Sequence, residues 1–299
     1  MNNIRCPWAP QKLIISLQFL ILMFMLLSCT ERPIEPSARS GVLTVAVDRQ
    51  LESAAAMQSE VFSRYYPDAR ITIFPAASVK TIMHLLDQKA GAALINGDLQ
   101  AAEDSLVATM KLPLRREPVG RDAIVCIVNR QNPVKSLSIN ELSLLYTRSG
   151  SDATPLVTAD DYRLMTSFAG KIGKKKQNLH AWASKSDSEL IRRVAADRKA
   201  VGLLFLSSFN AVPGLERERN NIRIVPLARE ASGERASLPT RQNIFDNRYP
   251  LVTTVYYVYY AGNALAAGFG SWLASSGQKG IERSSLVPFR LIERTIILK

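Results

Sequence analysis

The most suggestive chemistry in this sequence is hydroxyls grouped with a cation. Ser184-Lys185-Ser186-Asp187-Ser188 places three hydroxyls and an ammonium just ahead of a helical pattern. A helix start leaves backbone N–H groups without intrahelical partners, and its dipole favours negative charge. Hydroxyls and Lys185 at such a point suit an anion, although a Ser-rich cap that only starts the helix looks the same. Groups for covalent or metal chemistry do not assemble. His84 and His180 lie far apart without ligand-spaced partners, and a zinc site needs several convergent ligands. There is no nucleophile elbow and no Walker-type loop. Cys126 sits inside the apolar run DAIVCIVN and reads as a buried, inert thiol. The expectation is a binding protein, not an enzyme, with no catalytic residue, no cofactor and no metal.

The elements that must position these groups alternate. GVLTVAV (41–47) reads as a buried strand, and 52–65 carries Ala56, Met57, Val61 and Phe62 at helical spacing. Tyr66-Pro67-Asp68 breaks that helix, a strand follows at 71–74, a helix at 78–89 and a strand at 92–95. Further on, 122–129 is a strand, and Ser138 with Glu141 forms a capping-box pattern. The segment 150–158 reads as a loop, 160–168 as helix, 179–183 as strand, 187–197 as helix, and 201–206 and 221–227 as strands. A polar loop fills 231–242, LVTTVYYVYY makes a strong strand at 251–260, a helix covers 265–275, and the tail 286–298 is strand-like. Strands alternating with helices argue for an α/β fold with mostly parallel sheets. Tyr256, Tyr257, Tyr259 and Tyr260 read as core and rim packing, and Lys174–Lys176 as a solvated loop.

The N-terminus reads as an address. Arg5 and Lys12 precede an apolar run, 13–27, that spans about 22 Å as a helix, short of a hydrocarbon core of about 30 Å. That fits a signal h-region better than a permanent span. The run ends in Leu26-Leu27-Ser28-Cys29, which resembles a bacterial lipobox and implies lipidation of Cys29 after removal of 1–28. A secretory peptide cut nearby, with Cys29 incidental, is the alternative. Residues 29–40, polar and with two prolines, read as a tether. The 271 residues from Cys29 onward suffice for two lobes with separate cores. The chain carries a formal +12, of which Arg5 and Lys12 contribute two. The basic residues are scattered without interleaved aromatics, which argues against nucleic acid. Cys126 has no internal disulfide partner once Cys6 and Cys29 are assigned to the signal and the lipid site.

Several segments resemble one family. GVLTVAV with YYPDARITI, then GRDAIVCIVNRQNPVKSLSINELSLLYTRSG, AVGLLFLSSF, YPLVTTVYYVYY and FGSWLASSGQKGIERSSLVPF are similar, in order, to the phosphate-binding proteins of ABC importers. The likeness runs from about Gly41 to Phe289 and is weakest over 150–177. It implies a two-lobed, periplasmic-binding-protein-like α/β fold, each lobe a mostly parallel sheet flanked by helices. Lobe one would be 41–118 plus 250–299, and lobe two 119–249. The chain would cross near 116–121 and 246–251, and the lobes would close by a hinge on a small anion, phosphate or another oxyanion. The implied setting is the cell envelope, facing the periplasm or exterior, with a lipid anchor in the membrane, an ABC permease as partner, no nucleic acid and a monomeric state.

The family's anion-binding steps can be placed residue by residue. After the first strand stands Asp48-Arg49, where Arg49 could meet an anion while Asp48 and Glu52 oppose one. After the second stands Ala77-Ser78-Val79, with Ser78 either a ligand hydroxyl or a plain N-cap. After the third stands Asn96-Gly97, where Gly97 lets a backbone approach or makes the turn. The lobe-two helix opens at Thr158-Ala159-Asp160-Asp161, whose carboxylates repel phosphate. Arg49, Ser78, Val79, Asn96, Gly97, Arg121, Ser184 and Lys185 are the candidate ligand residues. Two readings stay open: a binder of a small anion, or an envelope protein that has lost phosphate binding and takes another ligand or a protein partner. The carboxylates predict no micromolar phosphate binding.

Overall fold

The computed structural model describes residues 35–148, 150, 152–230 and 235–290. The lipobox-like segment and Cys29 lie outside these residues, as does the tail from 291. None of the described helices is long and apolar enough to cross a membrane.

The first half runs β1 (Gly41–Asp48), α1 (Glu52–Tyr65), β2 (Ala69–Ala76), α2 (Ser78–Leu86), β3 (Ala92–Asn96), α3 (Ala101–Thr109) and β4 (Leu114–Asn129). Then come β5 (Leu137–Ser138), α4 (Ile139–Thr147), β6 (Thr154–Thr158), α5 (Tyr162–Lys171), β7 (Trp182–Ser184), α6 (Asp187–Ala196) and β8 (Ala200–Phe205). The remaining described elements are α7 (Leu206–Ala211), α8 (Glu216–Asn220), β9 (Ile222–Ile224), β10 (Leu227–Ala228), α9 (Arg241–Phe245), β11 (Val252–Tyr260), α10 (Ala264–Ala274), α11 (Gln278–Arg283) and β12 (Val287–Pro288).

Hydrogen bonding links most strands into one sheet, in the order β2-β1-β3-β11-β4-β8-β6-β7, with β9 and β12 also on β4. β2, β1 and β3 are parallel, as are β8, β6 and β7, while β11 and β4 run antiparallel between the two sets. β4 serves both. Its first part, through Ala123, pairs with β11, and its second part, Ile124 to Val128, pairs with β8.

Cores lie on either side of that handover, giving the two-lobed architecture. In the first lobe strand alternation sends Val45, Val47, Tyr257 and Tyr259 to one face, against Phe62 and Phe269. It sends Ala46 and Val258 to the other, against Ile82 and Leu85. In the second lobe the β4 run from Ala123 to Val128 is wholly buried, packed with Leu156, Leu190, Val194 and Leu203. Covered on both faces, such strands become continuously apolar.

Three local expectations need correction. Residues 154–158, expected in a loop, form β6 between β7 and β8; Pro155 is no obstacle because its neighbours supply the ladder bonds. The expected strand 221–227 splits into β9 and β10 at Pro226, which has no N–H to donate. The polar loop 231–242 gives way at Thr240, whose hydroxyl accepts from Asn243 N and caps the short helix α9.

Candidate functional site

Two pairs of parallel strands, β1 with β2 and β6 with β7, end at one cavity of about 560 Å3. Open α/β sheets bind ligands at the carboxyl ends of their strands, where backbone and helix starts converge. β1 leads to Arg49, Gln50, Glu52 and Ser53; β2 leads to Ala76, Ala77 and Ser78. From the other lobe β6 leads to Thr158, Asp160 and Asp161, and β7 to Lys185, Ser186, Asp187 and Ser188. Ser208 and the turn through Val212-Pro213 complete the wall.

Three of the eight candidate ligand residues line this cavity: Arg49, Ser78 and Lys185. Arg49 and Lys185 are exposed, whereas Ser78 is buried. Ser78 is not a plain N-cap. It is the first residue of α2, Ala77 holds the cap position, and the Ser78 Oγ instead accepts from Arg163 N at 3.4 Å. Val79 projects outward and is not in the lining. Ser184 is buried and its Oγ accepts from Arg193 at 3.3 Å. Arg121 is spent elsewhere, with its guanidinium over the rings of Phe245 and Phe289 and a bond to the Pro288 carbonyl.

Asn96 belongs to a network at the strand crossover. Its side chain donates to Asp122 Oδ2 at 2.6 Å and accepts from Thr253 Oγ1 at 2.8 Å. Asp122 also accepts from Ala123 N at 2.8 Å, Ser207 N at 3.2 Å and Ser207 Oγ at 2.5 Å. Residues from β3, β4 and α7 thus meet on one carboxylate, and Thr253 of β11 joins the network through Asn96. Burial pushes Asp122 up to about 6, against the pull of those four donors.

The cavity floor is carboxylate-rich. Asp161 caps α5, accepting from Leu164 N at 3.0 Å. Burial, then the neighbouring Asp187 and Asp48 carboxylates, push it up to about 8. Asp187 accepts from Thr158 Oγ1 at 2.5 Å. Asp48, fully buried behind the lining, accepts from Asn96 N at 2.9 Å through Oδ2, while Oδ1 has no hydrogen-bond partner. Burial raises its pKa, against Arg163 and the Asn96 N–H.

Arg163, which the sequence reading passed over, is the least exposed large side chain of α5. It donates to the Asp98 carbonyl at 2.8 Å and forks onto both carboxylate oxygens of Glu103 at 3.1 and 3.3 Å. Its Nε lies 3.4 Å from Asp48 Oδ2 without hydrogen-bond geometry. No local pattern marks it, because its partners are set by tertiary structure. Asp122 did carry a signal: it is a carboxylate heading the unbroken apolar run Ala123–Val128 within β4. Burial pushes Cys126 up to about 12, so the thiol stays protonated and inert.

Residues 34–276 match the model of a PBP superfamily domain. Protein SphX of Synechococcus elongatus is 26% identical over 164 residues, 49% of this chain and 46% of SphX, so the match spans under half of that curated relative. A phosphate ABC transporter substrate-binding protein from Clostridium perfringens, solved with bound phosphate, superposes with TM-score 0.68 at 17% identity, over 84% of this chain and 100% of the other. An ABC-type phosphate transport receptor from Vibrio cholerae gives TM-score 0.64 at 17% identity, over 83% and 100%. At such identities the two structures speak for the fold alone.

Proposed function

Because this chain belongs to the PBP superfamily, we propose that it is a lipid-anchored solute-binding protein of the cell envelope, holding a small polar solute between its lobes without chemistry. The lobes are 41–118 with 250–299 and 119–249, Cys29 carries the lipid, the body faces the periplasm or exterior, and an ABC permease is the partner. The observation that carries the reading is the cavity where β1, β2, β6 and β7 end, lined by helix starts and the hydroxyls of Ser53, Ser78, Thr158, Ser186, Ser188 and Ser208. Its volume suits a small organic solute.

A specific observation favours the second reading, that phosphate affinity has been lost. The lining carries two cations, Arg49 and Lys185, against the carboxylates of Glu52, Asp160 and Asp187, while the raised pKa of Asp161 keeps its carboxyl mainly protonated at neutral pH. Charge-assisted hydrogen bonds contribute roughly 1.5–3 kcal/mol each. Loss of two donors weakens binding by about two to four powers of ten. Calorimetry with inorganic phosphate and sulfate at neutral pH is expected to show no micromolar binding. Saturable sub-micromolar phosphate binding, abolished by Ser78→Ala, would restore the plain importer role. A thermal-shift screen of organic phosphates and zwitterions tests the cavity itself. A stabilising solute should lose its effect in Ser78→Ala and Lys185→Ala, and one indifferent to both binds elsewhere.

A further inference from the structure

We infer that Arg163 is a staple between the lobes that holds the cleft closed in the absence of solute. Arg163 stands on α5, which packs in the second lobe through Leu164 and Phe168. Its partners belong to the other lobe: Asp48 ends β1, Asp98 follows β3, and Glu103 is on α3, whose neighbours Leu99 and Val107 pack on the first lobe's core. The side chain is 1% exposed and those of Asp48 and Glu103 are 0% and 13% exposed, so water screens this contact little. The fork onto Glu103 fixes orientation as well as distance. Glu103 is itself held, since its Oε2 also accepts from Gln100 N at 2.7 Å in the capping box of α3.

The backbone is shaped for the same contact. Gly97 has φ +102°, and a Cβ there would stand 3.1 Å from Ser167 Oγ and 3.7 Å from Arg163 Cγ. Its N–H donates to Thr254 O at 2.8 Å, which presents the Asp98 carbonyl to the guanidinium. Only a residue without a side chain lets the loop after β3 press on α5 in this way. Arg163 N meanwhile donates to Ser78 Oγ, one of the hydroxyls that line the cavity.

A hinged binder that relies on its solute for closure keeps the closed form in the minority without it, and the solute shifts the population. Here the chain provides the cross-lobe contacts itself. A solute therefore enters a cavity already formed, and the separation of the lobes does not report its arrival. The inference rests on the two-lobed fold and not on which solute is bound.

Spin labels at Lys80→Cys on α2 and Arg192→Cys on α6, both exposed positions outside the cavity lining, read the separation. They are placed in the full chain with Cys6→Ser and Cys29→Ser, in detergent. In phosphate-free buffer one short interspin distance is expected, unchanged by millimolar inorganic phosphate. Arg163→Met should move the distribution to longer distances, and Glu103→Gln, which keeps the Asp48 contact, should do so partly. A phosphate-free chain already as open as Arg163→Met would overturn the inference, as would a distance that neither substitution changes. If Arg163→Met does not fold, Glu103→Gln decides between the same two outcomes.

Discussion

The crossover and the cleft floor each gather buried polar groups, yet they are built differently. At the crossover one carboxylate, Asp122, meets four donors. At the floor Asp48 Oδ1, Arg163 Nε and Gln50 Nε2 are buried without hydrogen-bond partners, and burial with the nearby Asp187 and Asp48 carboxylates favours the protonated form of Asp161. A satisfied buried network specifies one geometry, whereas a partly satisfied one leaves alternatives close in energy. The difference teaches that the strand crossover is held in one geometry, while the groups beneath the cavity keep unused hydrogen-bonding capacity beside the Arg163 contacts.

The largest expected effect is at the crossover. Asp122→Ala leaves four donors without their acceptor and should cost about 3–5 kcal/mol in urea unfolding. Arg163→Met should cost less, about 2 kcal/mol, because Asp48 can take up a proton once its counter-charge is gone. Equal losses would erase the contrast between the two regions.

Substitution with Asn sharpens it further. Asp122 and Asp161 both have folded pKa values raised above the ordinary 3.8, to about 6 and about 8. Each therefore binds its proton more tightly when folded. The resulting stability is full below about pH 4 and is lost as pH rises, through about 6 for Asp122 and about 8 for Asp161. Asp161→Asn keeps a capping side chain and removes that loss, so melting curves should show a gain of about 1 kcal/mol at pH 8 and little change at pH 4. Asp122→Asn should lose stability at both pH values, since an amide sets its own donors against those of Asn96 and Ser207. The smallest effect is a control far from both regions. Ser138→Ala breaks the capping box of α4 and should lower stability by about 0.5–1 kcal/mol without altering the separation of the lobes.

What the sequence disclosed follows from how local each feature is. The bounds of α1, 52–65, are read directly from its apolar spacing, and the capping box of Ser138 and Glu141 forms as expected. Both depend on residues within a turn or two. α3 escaped notice because none of its residues is buried, so it carries no apolar stripe. β6 escaped because five residues beginning Thr-Pro resemble a turn. Ser78 and Lys185 were legible as hydroxyl and cation near helix starts. Arg163 was not, since a buried arginine is defined by Asp48, Asp98 and Glu103, which only the fold brings near. The candidate residues Asn96 and Arg121 were placed near the right strands, but their side chains serve the crossover and an aromatic pair.

The strand order also sets a timetable. The edge of β3 that does not face β1 is paired by β11, Asn96 with Val255 and Ala92 with Tyr259. A ribosome delivers the chain from its N-terminus, so β1, β2 and β3 exist long before the strand that completes their sheet. The intervening segment contains most of the second core and can collapse on nearer contacts. Until residues 252–260 emerge, β3 offers an open, apolar edge of the kind that pairs with other chains. A product cut short before residue 252 would keep much of its inserted lobe and leave the outer one unfinished, with aggregation as its natural fate.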